Sequence, residues 1–253
     1  MMVQPTKEEK QKQFVAWIQW IVLILIVVLL VLLTRQVIVL QNYIVDSMEH
    51  FHELLHEQEA EAVNYEDFAG SVSLNQDTPI KGDLETAAIA LVQYSDFECP
   101  YCANAPEQID ALLADHTDIV LIHKDYPMVF HENAEAAAVA GRCASGQGLF
   151  WEMYEQLFDH QQSLDAATIE TVAGNLGMDM VAFEACVASP ETAALIDADV
   201  DEGIENLIDG TPLYLVGSFT VEGRSLTLEG YRTSLDDLAA IVDQLEQEHE
   251  EHE

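Results

Sequence analysis

One junction limits the fold of this 253-residue chain more than any other feature. The apolar run Ala87-Ala88-Ile89-Ala90-Leu91-Val92-Gln93-Tyr94 has the continuity of a strand buried on both faces. It passes through Ser95-Asp96-Phe97-Glu98 into Cys99-Pro100-Tyr101-Cys102, after which Ile109, Leu112 and Leu113 recur at helical spacing. A second short run, Ile119-Val120-Leu121-Ile122, then completes a strand–helix–strand unit. The C-x-x-C therefore stands where a strand turns into a helix.

That placement has chemical consequences. Unpaired N–H groups and the macrodipole at a helix start favour negative charge, so a thiolate is expected at Cys99. A thiolate is the better nucleophile and leaving group. Pro100 suits the first turn, where its missing N–H would have no partner anyway. Cys102, one turn further in, is placed to resolve a mixed disulfide formed through Cys99. Glu98 opposes the anion to a degree set by where its carboxylate points. A zinc site would need four ligands, and Cys143 and Cys186 lack the second paired spacing. The motif reads as redox, with no metal and no cofactor.

The segment Tyr94-Ser95-Asp96-Phe97-Glu98-Cys99-Pro100-Tyr101-Cys102 resembles the active-site segment of the DsbA-like branch of the thioredoxin superfamily. The resemblance continues, in the family's order, through Asp125-Tyr126-Pro127-Met128, His131, Ala134 and Ala136-Ala137-Ala138. It takes in Gly146-Gln147-Gly148-Leu149-Phe150-Trp151-Glu152-Met153, then Phe183-Glu184-Ala185-Cys186 and Gly210-Thr211-Pro212. It covers Glu85 to Leu245 and implies an α/β thioredoxin fold, with a helical insertion at about 131–189 between two halves of the sheet. It also implies that Thr211-Pro212 is the cis-proline loop against the dithiol, so that Pro100, Tyr101, Thr211 and Pro212 surround the active cysteines. An X-Pro bond can be cis at modest cost, and a fixed turn could present backbone groups to an extended peptide. Leu213 to Val216 and Ser225 to Leu228 then read as the last strands, and Leu235 to Leu245 as the closing helix.

One position departs from the pattern. Family members commonly carry an acid six residues before the first cysteine, buried beneath the dithiol as a proton acceptor. Gln93 stands there and cannot exchange a proton. Steps that rely on such a base are expected to be slower or to use water.

Outside a membrane, two thiols in one domain more often pair than stay free, and resembling domains with this pair point the same way. A structural disulfide Cys143–Cys186 is expected, with two buried free thiols as the alternative. His116, His123, His131 and His160 read as surface or cap residues. Phe150, Trp151, Tyr154 and Phe158 repeat at helical spacing and read as insertion core.

Residues 14–33 form an apolar run in which Gln19 is the sole polar side chain, long enough as a helix to span a bilayer. Lys7, Lys10 and Lys12 precede it and only Arg35 follows closely, which predicts a cytoplasmic residue 1–13 segment and an outward-facing remainder. Thr34-Arg35-Gln36 lacks the small residues of a cleavage site, so an uncleaved single-pass anchor in the cell membrane is expected. Residues 34–84 read as a helical stalk and linker. The stalk could pair weakly with a copy of itself, or lie as one helix on the domain or membrane surface. From Asn64 to Leu84 the periodicity fades and a linker is expected. The catalytic domain is placed at 85–246 and an acidic tail at 247–253.

His52-Glu53-Leu54-Leu55-His56 matches the H-E-x-x-H pattern, in which two histidines on one helical face grip zinc. No core-forming sequence flanks it to build a cleft, so it reads as a solvated stalk. His249 to Glu253 reads as a charged tail. With 9 Lys+Arg against 46 Asp+Glu the formal charge is −37, which argues against nucleic-acid binding. The acid is expected to suit a salty or alkaline exterior.

Together these readings predict a membrane-tethered thiol–disulfide oxidoreductase that oxidises exported proteins and is reoxidised by a membrane redox partner. A reductase or isomerase, or a redox-inert adaptor, would be the alternatives.

Overall fold

The computed structural model describes residues 17, 35–36, 65–75 and 77–250, and divides the chain into two units, Met1–Ala62 and Val63–Glu253. In the first unit the described residues, Trp17, Arg35 and Gln36, are helical. Apart from Trp17 the expected anchor lies outside the described residues, as do the His52–His56 motif and the stalk proposed to pair with a copy of itself. Among the described residues no helix is long and apolar enough to cross a membrane.

The second unit is built on a six-stranded sheet in the order β1-β6-β5-β3-β4-β2. Its strands are β1 (Tyr65–Ser73), β2 (Ile80–Lys81), β3 (Ile89–Ser95), β4 (Ile119–Asp125), β5 (Leu213–Glu222) and β6 (Ser225–Thr233). β3 runs parallel to β4 and antiparallel to β5, and both β3 and β4 are buried along their whole length. Apolar side chains on both faces make such central strands nearly continuous hydrophobic runs. Along β3 the period of two sorts them. Ile89 and Leu91 pack with Ile109, Leu112, Ile241 and Val242, whereas Ala90, Val92 and Tyr94 pack with Val120, Leu215 and Leu226. The helices on the first face are α1 (Ala105–Asp115) and α7 (Leu238–Glu250). Gly223, with φ +64°, makes the tight turn between β5 and β6, a backbone region that other residues seldom enter.

The segment read as a linker contributes β1 and β2. β1 pairs with β6 from Tyr65↔Thr233 to Ser73↔Ser225, while Val72 is its one fully buried side chain. An edge strand held by its backbone ladder needs few apolar residues, which is why its sequence looks like a linker. The folded unit therefore starts before Glu85.

Five helices fill the interval between β4 and β5: α2 (Ala134–Ser145), α3 (Phe150–Asp159), α4 (Ala166–Asn175), α5 (Met180–Val187) and α6 (Pro190–Glu205). The insertion extends beyond the expected residue 189 because α6 belongs to it. α6 is acidic and buries only Thr192, Ile196, Asp199 and Gly203, so its apolar stripe is faint in sequence. Ser189 caps it by accepting from Glu191 N, and Asp165 and Asp179 cap α4 and α5 in the same way. Phe150, Tyr154 and Phe158 join Phe97, Met153, Leu157, Ile169 and Phe183 in the insertion core, with Trp151 at its margin. Cys143 on α2 and Cys186 on α5 are bonded, with Cα atoms 5.7 Å apart. Helix α7 continues to Glu250, so the expected acidic tail begins inside a helix.

Candidate active site

Beyond β3 the chain turns before it coils. Cys99 N donates to Asp96 O at 3.1 Å and Cys102 N to Cys99 O at 3.0 Å. A single 3-10 turn follows at Cys102–Asn104, and the α-helix starts at Ala105. Cys99 thus precedes the helix that the sequence placed it on, and local donors, more than a full macrodipole, act on its sulfur.

As a thiol, Cys99 donates to the carbonyl oxygen of Thr211 at 3.1 Å, in the turn where Thr211-Pro212 is cis; as an anion it is met by donors instead. The Cys102 thiol donates to the Cys99 sulfur. Burial opposes the anion, but Thr211 and the N–H groups of Cys102 and Tyr101 add to the thiol's effect, and Cys99 is lowered to about 5. Burial pushes the Cys102 thiol far up, and a charge on Cys99 raises it further. Among the described residues the buried side-chain oxygens without a conventional partner are Ser95 Oγ and Thr211 Oγ1. Each faces a sulfur: Thr211 favours the Cys99 anion and Ser95 that of Cys102. Cys99 shows 5% of its surface and Cys102 none, so an incoming sulfur can reach only Cys99. Pro100 and Tyr101 form the exposed lip of the turn.

Several residues hold this turn without having announced themselves in the sequence. Buried Asp96 accepts from Glu98 N at 2.7 Å and Met128 N at 2.8 Å, and its Oδ2 lies 2.7 Å from His131 Nδ1. Glu98 points away from the sulfur, accepting from Asn133 N at 2.5 Å and Asn133 Nδ2 at 3.0 Å. Its opposition to the thiolate is therefore weak. From the insertion, Gln161 Nε2 donates to Phe97 O at 2.9 Å and to Cys99 O at 2.8 Å. Long sequence separation hides Gln161, and nothing local to Asp96 marks it as the anchor of the turn, since its partners Met128 and His131 come from a later segment.

His123 corrects the expectation of surface histidines. It is fully buried on β4 between Phe97, Phe150 and Tyr154. The polar end of β4 can be buried because its charges are paired inside. Lys124 Nζ meets Asp199 Oδ1 at 3.0 Å and Glu202 Oε1 at 2.9 Å, while Arg142 joins Asp125 to Asp199. His131 and His116 are half-buried and held by Asp96 and Glu246, and His160 is exposed. His116, Asp243 and Glu246 form the one metal-capable trio among the described residues, and His116 Nδ1 lies 2.7 Å from Glu246 Oε1.

Residues 74–237 match the family model described as Thioredoxin. Among curated proteins, the chain is 34% identical over 153 residues to the Na(+)/H(+) antiporter NhaA 3 of Salinispora tropica, covering 58% of this chain and 23% of the antiporter. It is 33% identical over 143 residues to NhaA of Herminiimonas arsenicoxydans, covering 56% of this chain and 22% of that protein. The chain thus spans less than a quarter of the length of these relatives. Among solved structures it resembles the thiol-disulfide exchange protein α-DsbA2 of Wolbachia pipientis, with a TM-score of 0.55 and 20% identity over 68% of this chain and 88% of that one. The catalytic domain of Proteus mirabilis ScsC gives a TM-score of 0.55 and 20% identity over 68% of this chain and 90% of that one. At that identity the likeness is one of fold.

Proposed function

The chain belongs to the thioredoxin family, with the DsbA-like form of its fold, and we propose that it is a membrane-tethered thiol–disulfide oxidoreductase that donates disulfides to exported proteins. One observation carries the reading. Cys99, lowered to about 5 chiefly by the Cys102 thiol that donates to its sulfur, lies beside the cis Thr211-Pro212 turn, while Cys102 is sealed behind it.

The chemistry is two exchanges. A client thiolate attacks Cys99 Sγ of the oxidised pair, the Cys99–Cys102 bond breaks, and Cys102 leaves with the electron pair and gains a proton. A second client thiolate then attacks the client sulfur of the mixed disulfide, and Cys99 leaves as a thiolate. Stabilising that departing anion favours the reduced enzyme and so makes its disulfide an oxidant. A membrane redox partner would restore the disulfide.

Tethering rests on the apolar residues 14–33 with Lys7, Lys10 and Lys12 before them. The partial match to antiporters supports a setting at a membrane. Equilibrating the full chain in glutathione buffers tests the direction. An oxidase gives a potential of about −180 to −120 mV, and a value near −270 mV assigns the chain to reduction.

A further inference from the structure

When the Cys99–Cys102 bond opens, a sulfur with no exposed surface must carry an electron pair. Its surroundings are poor in charge that could help. Gln93, fully buried on β3, is neutral and its amide is already engaged: Nε2 donates to Tyr214 Oη at 3.0 Å, and Oε1 accepts from Tyr154 Oη at 3.1 Å. Burial raises both phenols, and a negative charge on Cys102 adds to this, so the sulfur lies within electrostatic reach of the row. The buried cations are spent elsewhere, Arg142 on Asp125 and Asp199, and Lys124 on Asp199 and Glu202. An anion at Cys102 therefore depends on neutral donors.

Ser95 supplies one. It stands two residues after Gln93, on the same face of β3, at the end that leads into the active-site turn. Its side chain is sealed in, with 2% of the residue exposed, and its Oγ has no conventional partner. The backbone around it is fixed, since Ser95 O accepts from Tyr126 N at 2.8 Å. Asp125, its neighbour across the ladder, is turned to Arg142 and His123. A buried hydroxyl left unbonded costs free energy, so it calls for a state of the molecule in which it bonds. An anion on Cys102 is that state. Burial is the largest influence on the Cys102 thiol and raises it, while the Asp96 N–H and the Ser95 hydroxyl work the other way by favouring the anion. A thiol sulfur is a weak acceptor and a thiolate a strong one, so the hydroxyl does little beside Cys102 at rest and much as it departs. Only an interaction stronger in the transition state than before it accelerates a step.

We propose that the Ser95 hydroxyl, with the Asp96 N–H, receives the Cys102 sulfur as it leaves, as preorganised donors receive a developing oxyanion. The proposal rests on thiol–disulfide exchange at Cys99. A client thiolate attacks Cys99 Sγ, the client–Cys99 bond forms, the Cys99–Cys102 bond breaks, and the electron pair passes to Cys102 Sγ. Ser95 donates a hydrogen bond and keeps its hydrogen, so no proton moves in this step. Water then protonates the sulfur, whose burial makes the anion short-lived. In the opposite direction water takes the Cys102 proton, and the same two donors hold the anion until it attacks Cys99 and the client leaves as a thiolate. Both directions pass through one anion that neither resting form contains. Ser95 therefore speeds both and leaves the equilibrium between dithiol and disulfide unchanged.

The test follows opening of the Cys99–Cys102 disulfide in the oxidised full chain by reduced glutathione, with acid quenching and mass analysis. Ser95→Ala slows opening about ten- to a hundredfold, the effect of one hydrogen bond to a charged group. It slows closure of the Cys99–glutathione mixed disulfide by the same factor, and the factor is the same at every pH because Ser95 transfers no proton. The glutathione redox equilibrium and the rate of Cys99 alkylation by iodoacetamide stay at their wild-type values, and the urea midpoint of the oxidised form does not fall. A serine with a merely structural role would move at least one of these three. Ser95→Gly, which also lacks the hydroxyl, gives the same slowing and carries the test if Ser95→Ala does not fold. Opening in these variants within about twofold of wild type, or slowing that comes with a shifted redox equilibrium or slower Cys99 alkylation, overturns the proposal. A wild-type disulfide that glutathione does not open would instead remove the functional reading beneath it.

Discussion

Replacing Cys102 by Ala should make Cys99 a visibly weaker acid. In the folded chain the Cys102 thiol is the largest single influence holding the Cys99 anion, ahead of Thr211 and of the N–H groups of Cys102 and Tyr101. A hydrogen bond to a charged group contributes about 1.5–3 kcal/mol, so its loss should raise the Cys99 midpoint from about 5 by about one to two pH units. The remaining donors should still keep it below the roughly 8.5 of free cysteine. The rate of alkylation by iodoacetamide against pH reads the midpoint in both proteins. The sign of the linked stability is fixed by the same numbers. A thiol whose folded pKa is depressed adds stability that is complete above the unfolded value and lost as pH falls through about 5. The reduced protein should therefore gain on the oxidised protein in urea as pH rises from about 5 towards 8, because the disulfide form has no such titration. A wild-type midpoint within one unit of free cysteine, or no shift in Cys102→Ala, would refute the reasoning.

Other expectations follow from the packing. Replacing Cys143 and Cys186 by Ala opens a link across 43 positions and should cost about 4 kcal/mol in urea unfolding by chain entropy; a loss under about 1 kcal/mol would contradict that account. Arg142→Met leaves buried Asp125 and Asp199 without their guanidinium and should destabilise the fold by about 3–5 kcal/mol, whereas a near-neutral result would mean those carboxyls are protonated. Gln161→Ala removes two hydrogen bonds to the active-site turn and should cost about 1–2 kcal/mol. Hydrogen exchange should then speed up at the Cys99 and Cys102 amides more than at β3, and equal protection in both variants would count against a role for Gln161.

The catalytic turn was legible because its signals are local. A continuous apolar strand, two cysteines one turn apart and a proline between them lie within a few residues of one another, and the cis turn at Thr211-Pro212 carries its own motif. What escaped was set by distant partners. β1 buries one full side chain and owes its place to β6, which lies far along the chain. α6 is acidic along most of its length, and its buried Asp199 makes sense only opposite Arg142 and Lys124. His123-Lys124-Asp125 reads as a strand running out into water, yet three counter-charges from other elements bring it indoors. Periodicity reports which residues are apolar; it says nothing about polar residues that are buried because another segment arrives to satisfy them.

A catalyst that trades crosslinks must keep its own out of the market. Cys143 is buried among the insertion helices and bonded to half-buried Cys186, while Cys99 keeps a sliver of exposed surface in its turn. The inner sulfur of the bridge, on Cys143, is the shielded one, and an exchange entering at Cys99 resolves through its free neighbour Cys102. The molecule can be discharged and recharged repeatedly without loosening the frame that aims its reactive atom.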